Sequence, residues 1–352
     1  MKYNFSTAAI RNEIMYFLFS ENGMPGMYSI SENRISFRDS YGMVAEGQED
    51  SIDEWLVYKN NLIALRMDGK ELYIHSLDST ETVTISLQGV NNRSWGNYAY
   101  VTIYMDQLLV FCRPNKLLKI DLSKKKSNED TILFDRDFFF GNRFGHTVIL
   151  VSEKAEHCSI YDIKTEEIHN IELDGKMETV TNLYIDDRFC YVGDQMGRIS
   201  IFDHQGLCSL KLVRTVEPIS KDGRFVYCKM IVCNDRIIEL PSNSCPIYII
   251  KKDDYSKQEY ESYPSDIDYL VKGEWSRFYG VCENEHFYIC CMRSTNYILL
   301  IDKMTGDLAW KKPQLPDEYQ KYEALSQYGN FIEYETEGAL KGFLDFVVKG
   351  KI

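Results

Sequence analysis

Asp187-Arg-Phe-Cys-Tyr-Val-Gly-Asp-Gln-Met-Gly-Arg-Ile-Ser-Ile-Phe-Asp203 is the stretch whose reading decides the fold. A polar turn leads into an apolar run, Phe189 to Val192. A glycine-bearing turn returns the chain into a second run, Ile199 to Phe202, which closes on an acid. Aromatic and β-branched residues in runs this short suit the half-buried surface of a strand. The stretch therefore predicts two antiparallel strands joined by a turn.

The same unit recurs on both sides. Asn61-Leu-Ile-Ala-Leu65 leads to Leu72-Tyr-Ile-His75, and Asp106-Gln-Leu-Leu-Val-Phe-Cys112 leads to Leu117-Leu-Lys-Ile-Asp121. His146-Thr-Val-Ile-Leu-Val151 leads to Cys158-Ser-Ile-Tyr-Asp162, and Glu285-His-Phe-Tyr-Ile-Cys290 leads to Tyr297-Ile-Leu-Leu-Ile-Asp302. The end residues are 46, 41, 41 and 99 positions apart, so the last gap holds two units. The middle one is read from Asp222-Gly-Arg-Phe-Val-Tyr227 onward. A second marker, an aromatic residue followed by glycine, occurs at Tyr41-Gly42, Trp95-Gly96, Phe140-Gly141, Tyr279-Gly280 and Tyr328-Gly329. It spans 287 residues, or six steps of a similar period.

A period in the forties with about four short strands per unit is the mark of propeller blades. The expectation is an all-β chain forming one β-propeller domain over residues 1–352. Seven blades are expected, with six and eight as alternatives. Six units lie between about 55 and 312. The seventh is expected to be shared between about 12–37 and 328–335, closing the ring with strands from both chain ends and leaving no free edge. Residues 336–352 read as a short C-terminal helix. Leu340, Phe343, Leu344 and Val347 fall on one of its faces, and Thr336 is placed to cap it.

Composition narrows the function classes. The net charge is −13, from 40 basic and 53 acidic residues, which disfavours nucleic acid and anionic membrane as partners. No apolar run is long enough to span a bilayer as a helix, and the first residues lack the pattern of an export signal. The ten cysteines are scattered, without a Cys-x-x-Cys pair, and most sit inside apolar runs. They read as buried thiols in a reducing compartment, so a cytoplasmic location is expected.

Two segments carry a resemblance. Val192-Gly-Asp-Gln-Met-Gly-Arg-Ile-Ser-Ile-Phe-Asp203 resembles the WD40 repeat, in which a glycine-containing turn joins two strands and the second ends in aromatic-Asp. Leu300-Ile-Asp-Lys-Met-Thr-Gly-Asp-Leu-Ala-Trp310 is similar to the quinoprotein (PQQ-like) repeat, in which Asp-x-x-Thr-Gly turns into a strand closed by Trp. The resemblance implies a propeller fold; it carries no quinone chemistry, and no cofactor is expected.

The candidate sites follow from this frame. Asp121, Asp162, Asp203 and Asp302 recur at one point of the repeat. They form either a ring of carboxylates around a pore or a set of hydrogen-bond acceptors for the neighbouring turns. Trp310 is placed to pack between blades. The six histidines show no local metal-ligand spacing, and no metal site is expected. The tyrosine-rich stretch from Lys251 to Tyr263 lengthens one blade or forms an insertion, and makes Tyr255, Tyr260 and Tyr263 candidate partner contacts. The apolar face of the tail offers Leu340, Phe343, Leu344 and Val347 for the same purpose. The leading reading is a non-catalytic platform or adaptor for a protein or peptide. The alternative is an enzyme or small-ligand binder (carbohydrate or metal-dependent) at the mouth of the central channel. The sequence leaves the oligomeric state open.

Overall fold

The computed structural model describes residues 5–19, 25–37, 52–66, 69–79, 81–87, 97–124, 130–174, 177–204, 209–219, 227–241, 246–265, 278–292 and 297–314. These form seven four-stranded antiparallel sheets, each built from four consecutive strands. They are the blades of a seven-bladed β-propeller, taken in chain order as 5–37, 52–86, 98–133, 140–172, 180–216, 227–259 and 278–311. The first strand of each blade touches the first strands of its neighbours, so these strands line the axis.

Strand alternation explains the apolar runs. In blade 3, Gln107–Cys112 buries five successive side chains. Leu108, Val110 and Cys112 pack toward blade 2, while Leu109 and Phe111 pack toward blade 4. Successive strand residues face opposite ways, so a sheet covered on both sides needs continuous apolar sequence. The core is accordingly divided into seven wedges, one per seam between blades. Burying a Leu, Ile or Phe contributes about 1.5–3 kcal/mol, which makes these wedges the main stabilising element. Polar links cross the seams as well. Tyr58 Oη donates to Asp106 at 2.6 Å, Arg113 Nε to the Phe139 carbonyl at 2.8 Å, and Asn142 Nδ2 to the Leu183 carbonyl at 2.6 Å.

Blade 1 draws four strands from residues 5–37 alone, with Phe5–Arg11 innermost. The expected contribution from 328–335 lies outside the described residues, as do the tail 336–352 and its Leu340, Phe343, Leu344 and Val347. The described part of the ring closes by packing. Met15, Phe17, Tyr28 and Ile35 of blade 1 share a core with Ile289, Cys291, Ile298 and Leu300 of blade 7. Beyond blade 7 the chain reaches the outer edge of blade 1. There Gln314 pairs in parallel with Arg34, donating its N–H to the Asn33 carbonyl and accepting the Ile35 N–H, both at 2.8 Å.

Blade 6 corrects the repeat reading. Its middle strands are Arg236–Pro241 and Tyr248–Lys251, so the unit does not begin at Asp222. Lys251 occupies the place of the recurrent acid, which hid the unit. The backbone turn is unchanged: Lys251 N–H bonds the Ser256 carbonyl, as Asp302 N–H bonds that of Asp307. The stretch after Lys251 is thus the ordinary outer hairpin of blade 6 and the chain leaving it.

Candidate functional site

At one end of the axis, blades 4, 5 and 7 enclose a cavity of about 480 Å³. Blade 4 contributes Asn142, Arg143 and Phe144, from the end of its inner strand Phe140–Phe144. Blade 5 contributes Tyr184 through Asp187, where its inner strand Val180–Ile185 turns. Blade 7 contributes Val281, Cys282, Glu283 and Tyr288. Inner strands end here because the first hairpin of every blade turns on this face.

The wall has distinct electrostatic parts. Tyr184 and Tyr288 are half-buried, and burial raises both phenols. They stay neutral at physiological pH, and the Lys303 ammonium lies 4.8 Å from the centre of the Tyr288 ring. Asp186 Oδ1 accepts the N–H groups of Arg188 and Phe189 at 2.9 and 2.7 Å, and its Oδ2 lies 3.9 Å from Lys252 Nζ. Glu283 pairs with Lys303 at 2.5 Å. The exposed Asp187 carboxylate makes no hydrogen bond or ion pair among the described residues. Arg143 leans back on blade 3: Nε donates to Thr102 Oγ1 at 3.1 Å, Nη1 to the Gly145 carbonyl at 2.8 Å, and its guanidinium lies over Tyr104. Three carboxylates and one guanidinium therefore line the cavity beside the two tyrosines, with Lys252 and Lys303 offsetting Asp186 and Glu283.

The recurrent acids lie elsewhere on this face, at the ends of the third strands and away from the axis. Asp121 accepts from Ser123 Oγ and Ser123 N–H at 2.5 and 2.9 Å, which with Lys124 holds its carboxyl down at about 2. Asp162 accepts from Lys164 and Thr165, and Asp302 from Met304 and Thr305; those N–H groups lower both carboxyls. Asp203 faces Arg188 at 3.4 Å. Each serves its own turn region. In the hairpin after Asp302, Gly306 adopts φ of +69°, which the Thr305-Gly306 pair supplies without strain.

Trp310 is half-buried on the outer strand of blade 7, 6.0 Å from the Tyr263 ring and 6.5 Å from those of Phe278 and Tyr297. Tyr260 and Tyr263 pack with it in the wedge between blades 6 and 7. Tyr263 Oη accepts the Ile247 N–H at 2.9 Å. Tyr255 stands at the tip of the outer hairpin, at φ of +60°, beneath the Arg214 guanidinium. All three are half-buried, so the tyrosines predicted as contacts also hold the blade together.

The histidines sit apart. His75 bonds Thr82, His157 the Asp137 carbonyl, His204 the Asp186 carbonyl, and His146 faces Asp162. Among the described residues no three of His, Cys, Asp and Glu are grouped to hold a metal ion, and no helix is long and apolar enough to cross a membrane. Burial pushes the thiols of Cys158 up to about 12 and Cys233 up to about 11, far from nucleophilic thiolates at neutral pH.

One buried acid escaped sequence reasoning. Glu239, in a middle strand of blade 6, is 1% exposed, and neither carboxylate oxygen has a hydrogen-bond partner. Burial, reinforced by the nearby Asp194 of blade 5 and opposed by Lys257, raises its carboxyl to about 8. Asp194 is itself fully buried but satisfied, taking N–H groups from Glu178, Met196 and Arg198. An acid inside the apolar run Ile237 to Leu240 was the available signal.

No family model and no curated protein matches the sequence. Solved structures do. The WD40 domain of Pan2 from Neurospora crassa is 13% identical, with a TM-score of 0.56, 88% of this chain and 90% of that one covered. The Cps50 (Swd1) β-propeller domain of Myceliophteria thermophila is 11% identical, with a TM-score of 0.57 and 88% and 97% covered. BamB from Moraxella catarrhalis is 11% identical, with a TM-score of 0.52 and 81% and 82% covered. At such identities the likeness speaks to architecture: this chain has a seven-bladed β-propeller fold, and WD40 and PQQ-like β-propellers are among the solved structures it is similar to.

Proposed function

We propose that this chain is a non-catalytic interaction platform that presents the face bearing the axial cavity to a protein or peptide. The observation that carries the reading is the composition of that cavity. Rings, carboxylates and a guanidinium converge on it from three blades, an array suited to gripping a side chain. Two of its acids, Asp186 and Glu283, are tied to a turn and to lysines, while its cysteine, Cys282, is driven strongly toward the thiol by burial. WD40 domains among the solved propellers support a protein partner. Tyr255, on the same face, extends the contact surface outward. A cytoplasmic setting suits the eight described cysteines, all free thiols.

The test is affinity capture of the tagged full chain from cytosol, read by mass spectrometry. A stoichiometric partner is expected, held by the wild type and by Lys154→Ala on the opposite face. It is expected to be lost on Tyr184→Ala/Tyr288→Ala. Recovery of the chain alone, or a partner indifferent to the double substitution, overturns the reading.

A further inference from the structure

We propose that the ring opens at the seam between blade 7 and blade 1, and that residues 312–314, seated on Asn33, are the latch that governs the opening. Six of the seven seams join blades that follow one another in the chain, so the polypeptide itself spans them. The seventh joins the last blade to the first and is held by non-covalent contacts. These are the wedge of Met15, Phe17, Tyr28 and Ile35 against Ile289, Cys291, Ile298 and Leu300, and the strap that follows Lys311. Opening at this seam stretches no chain connection, and local opening begins at the least-held units of a fold.

The strap is short and built on one residue. Asn33 turns at φ of +50°, a conformation that asparagine accepts more readily than most residues. Its Nδ2 donates to the Lys312 carbonyl at 2.9 Å, and its backbone carbonyl accepts the Gln314 N–H at 2.8 Å. Its Oδ1 accepts from the hydroxyl of the buried Tyr28 at 3.0 Å, which fixes the side chain. The Ile35 N–H completes the bridge onto the Gln314 carbonyl, also at 2.8 Å. Pro313 is buried, and its ring fixes φ, so the strap loses little freedom on seating. Pro316 carries no N–H with which to lengthen the ladder. Each of these three hydrogen bonds across the seam changes an equilibrium about three- to tenfold, enough together to hold the strap and few enough to release as one. Blade 7 also carries Glu283 and Tyr288 of the axial cavity, so an opened seam displaces one wall of that cavity.

The test is native-state labelling of the full chain with N-ethylmaleimide, read cysteine by cysteine by mass spectrometry. The buried thiols report the seams separately. Cys291 lies in the wedge with blade 1, while Cys290 beside it faces the wedge with blade 6. Cys112 lies between blades 2 and 3, and Cys158 and Cys190 between blades 4 and 5. Cys291 is expected to label ahead of the other four in the wild type, a comparison that needs no variant to fold. Asn33→Asp keeps the turn and the acceptor for Tyr28 but cannot donate to Lys312. Gln314→Pro keeps an extended strap but loses its N–H. Each is expected to speed Cys291 labelling about three- to tenfold and to leave Cys112, Cys158, Cys190 and Cys290 at wild-type rates. Three results overturn the proposal. Cys291 labelling no faster than Cys112 and Cys190 would make the opening global. Cys290 and Cys291 labelling together would mean that blade 7 unfolds as a unit. A folded variant that labels Cys291 at the wild-type rate would leave the strap no part in the opening.

Discussion

Replacing Glu239 by Gln should flatten the pH dependence of stability. The folded carboxyl titrates near 8 against an ordinary 4.5, because burial and Asp194 disfavour its charge. A folded value raised above the unfolded one gives stability that is whole at low pH. That stability is lost as pH rises from about 4.5 through about 8, where the unfolded chain ionises and the folded one does not. Each full pH unit costs about 1.4 kcal/mol inside that window and less at its two ends, so wild type should lose about 3.5 kcal/mol between pH 5 and pH 8 through this group alone. Gln fills the same space and does not titrate. Urea melts at pH 5, 6, 7 and 8 on both proteins measure the effect, the variant gaining on wild type at each step. Parallel stability curves, within about 0.5 kcal/mol, would refute the claim that a proton sits on Glu239 in the fold. Glu239→Ala is a poorer probe, since it adds a cavity cost.

Other substitutions test the packing. A Cβ at Gly141 would meet Leu150 Cδ2 at 2.7 Å and Tyr100 Cβ at 2.8 Å, so Gly141→Ala should cost about 1–3 kcal/mol in the same melts; a neutral result would mean the blade 3–blade 4 seam relaxes freely. Trp310→Ala should cost about 3 kcal/mol through its contacts with Tyr263, Phe278 and Tyr297. A loss under about 1 kcal/mol would remove that ring from the structural core. Deleting residues 1–37 removes blade 1 and bares Ile289, Ile298 and Leu300 of blade 7. Insoluble protein is expected, and a soluble truncation with an unchanged melt would show that the ring does not need this seam.

Much of the fold was legible because its signals are local. Runs such as Leu108 to Cys112 are apolar on both strand faces, and Asp121, Asp162 and Asp302 mark third-strand ends through turns that sequence proximity makes. Blade 6 was misplaced because Lys251 stands where the acid was sought, the turn being made by backbone bonds that many residues satisfy. The innermost strand of blade 1, Phe5–Arg11, was missed since Ser6-Thr-Ala-Ala9 lacks the bulk of the other strands. The cavity was not legible at all. Arg143, Asp187 and Tyr288 meet only because the ring brings blades 4, 5 and 7 together, and nothing in their neighbourhoods distinguishes them from ordinary turn and strand residues.

The closing seam has a consequence for how the chain emerges from the ribosome. Met15 of blade 1 lies against Cys291 of blade 7, 276 residues later. At about 5–20 residues per second, the apolar flank of blade 1 waits roughly 15 to 50 s for its counterpart to be synthesised. Every other flank meets its neighbour within one blade's length of translation. The face of Met15, Phe17, Tyr28 and Ile35 is therefore the one that nascent-chain chaperones have longest to hold.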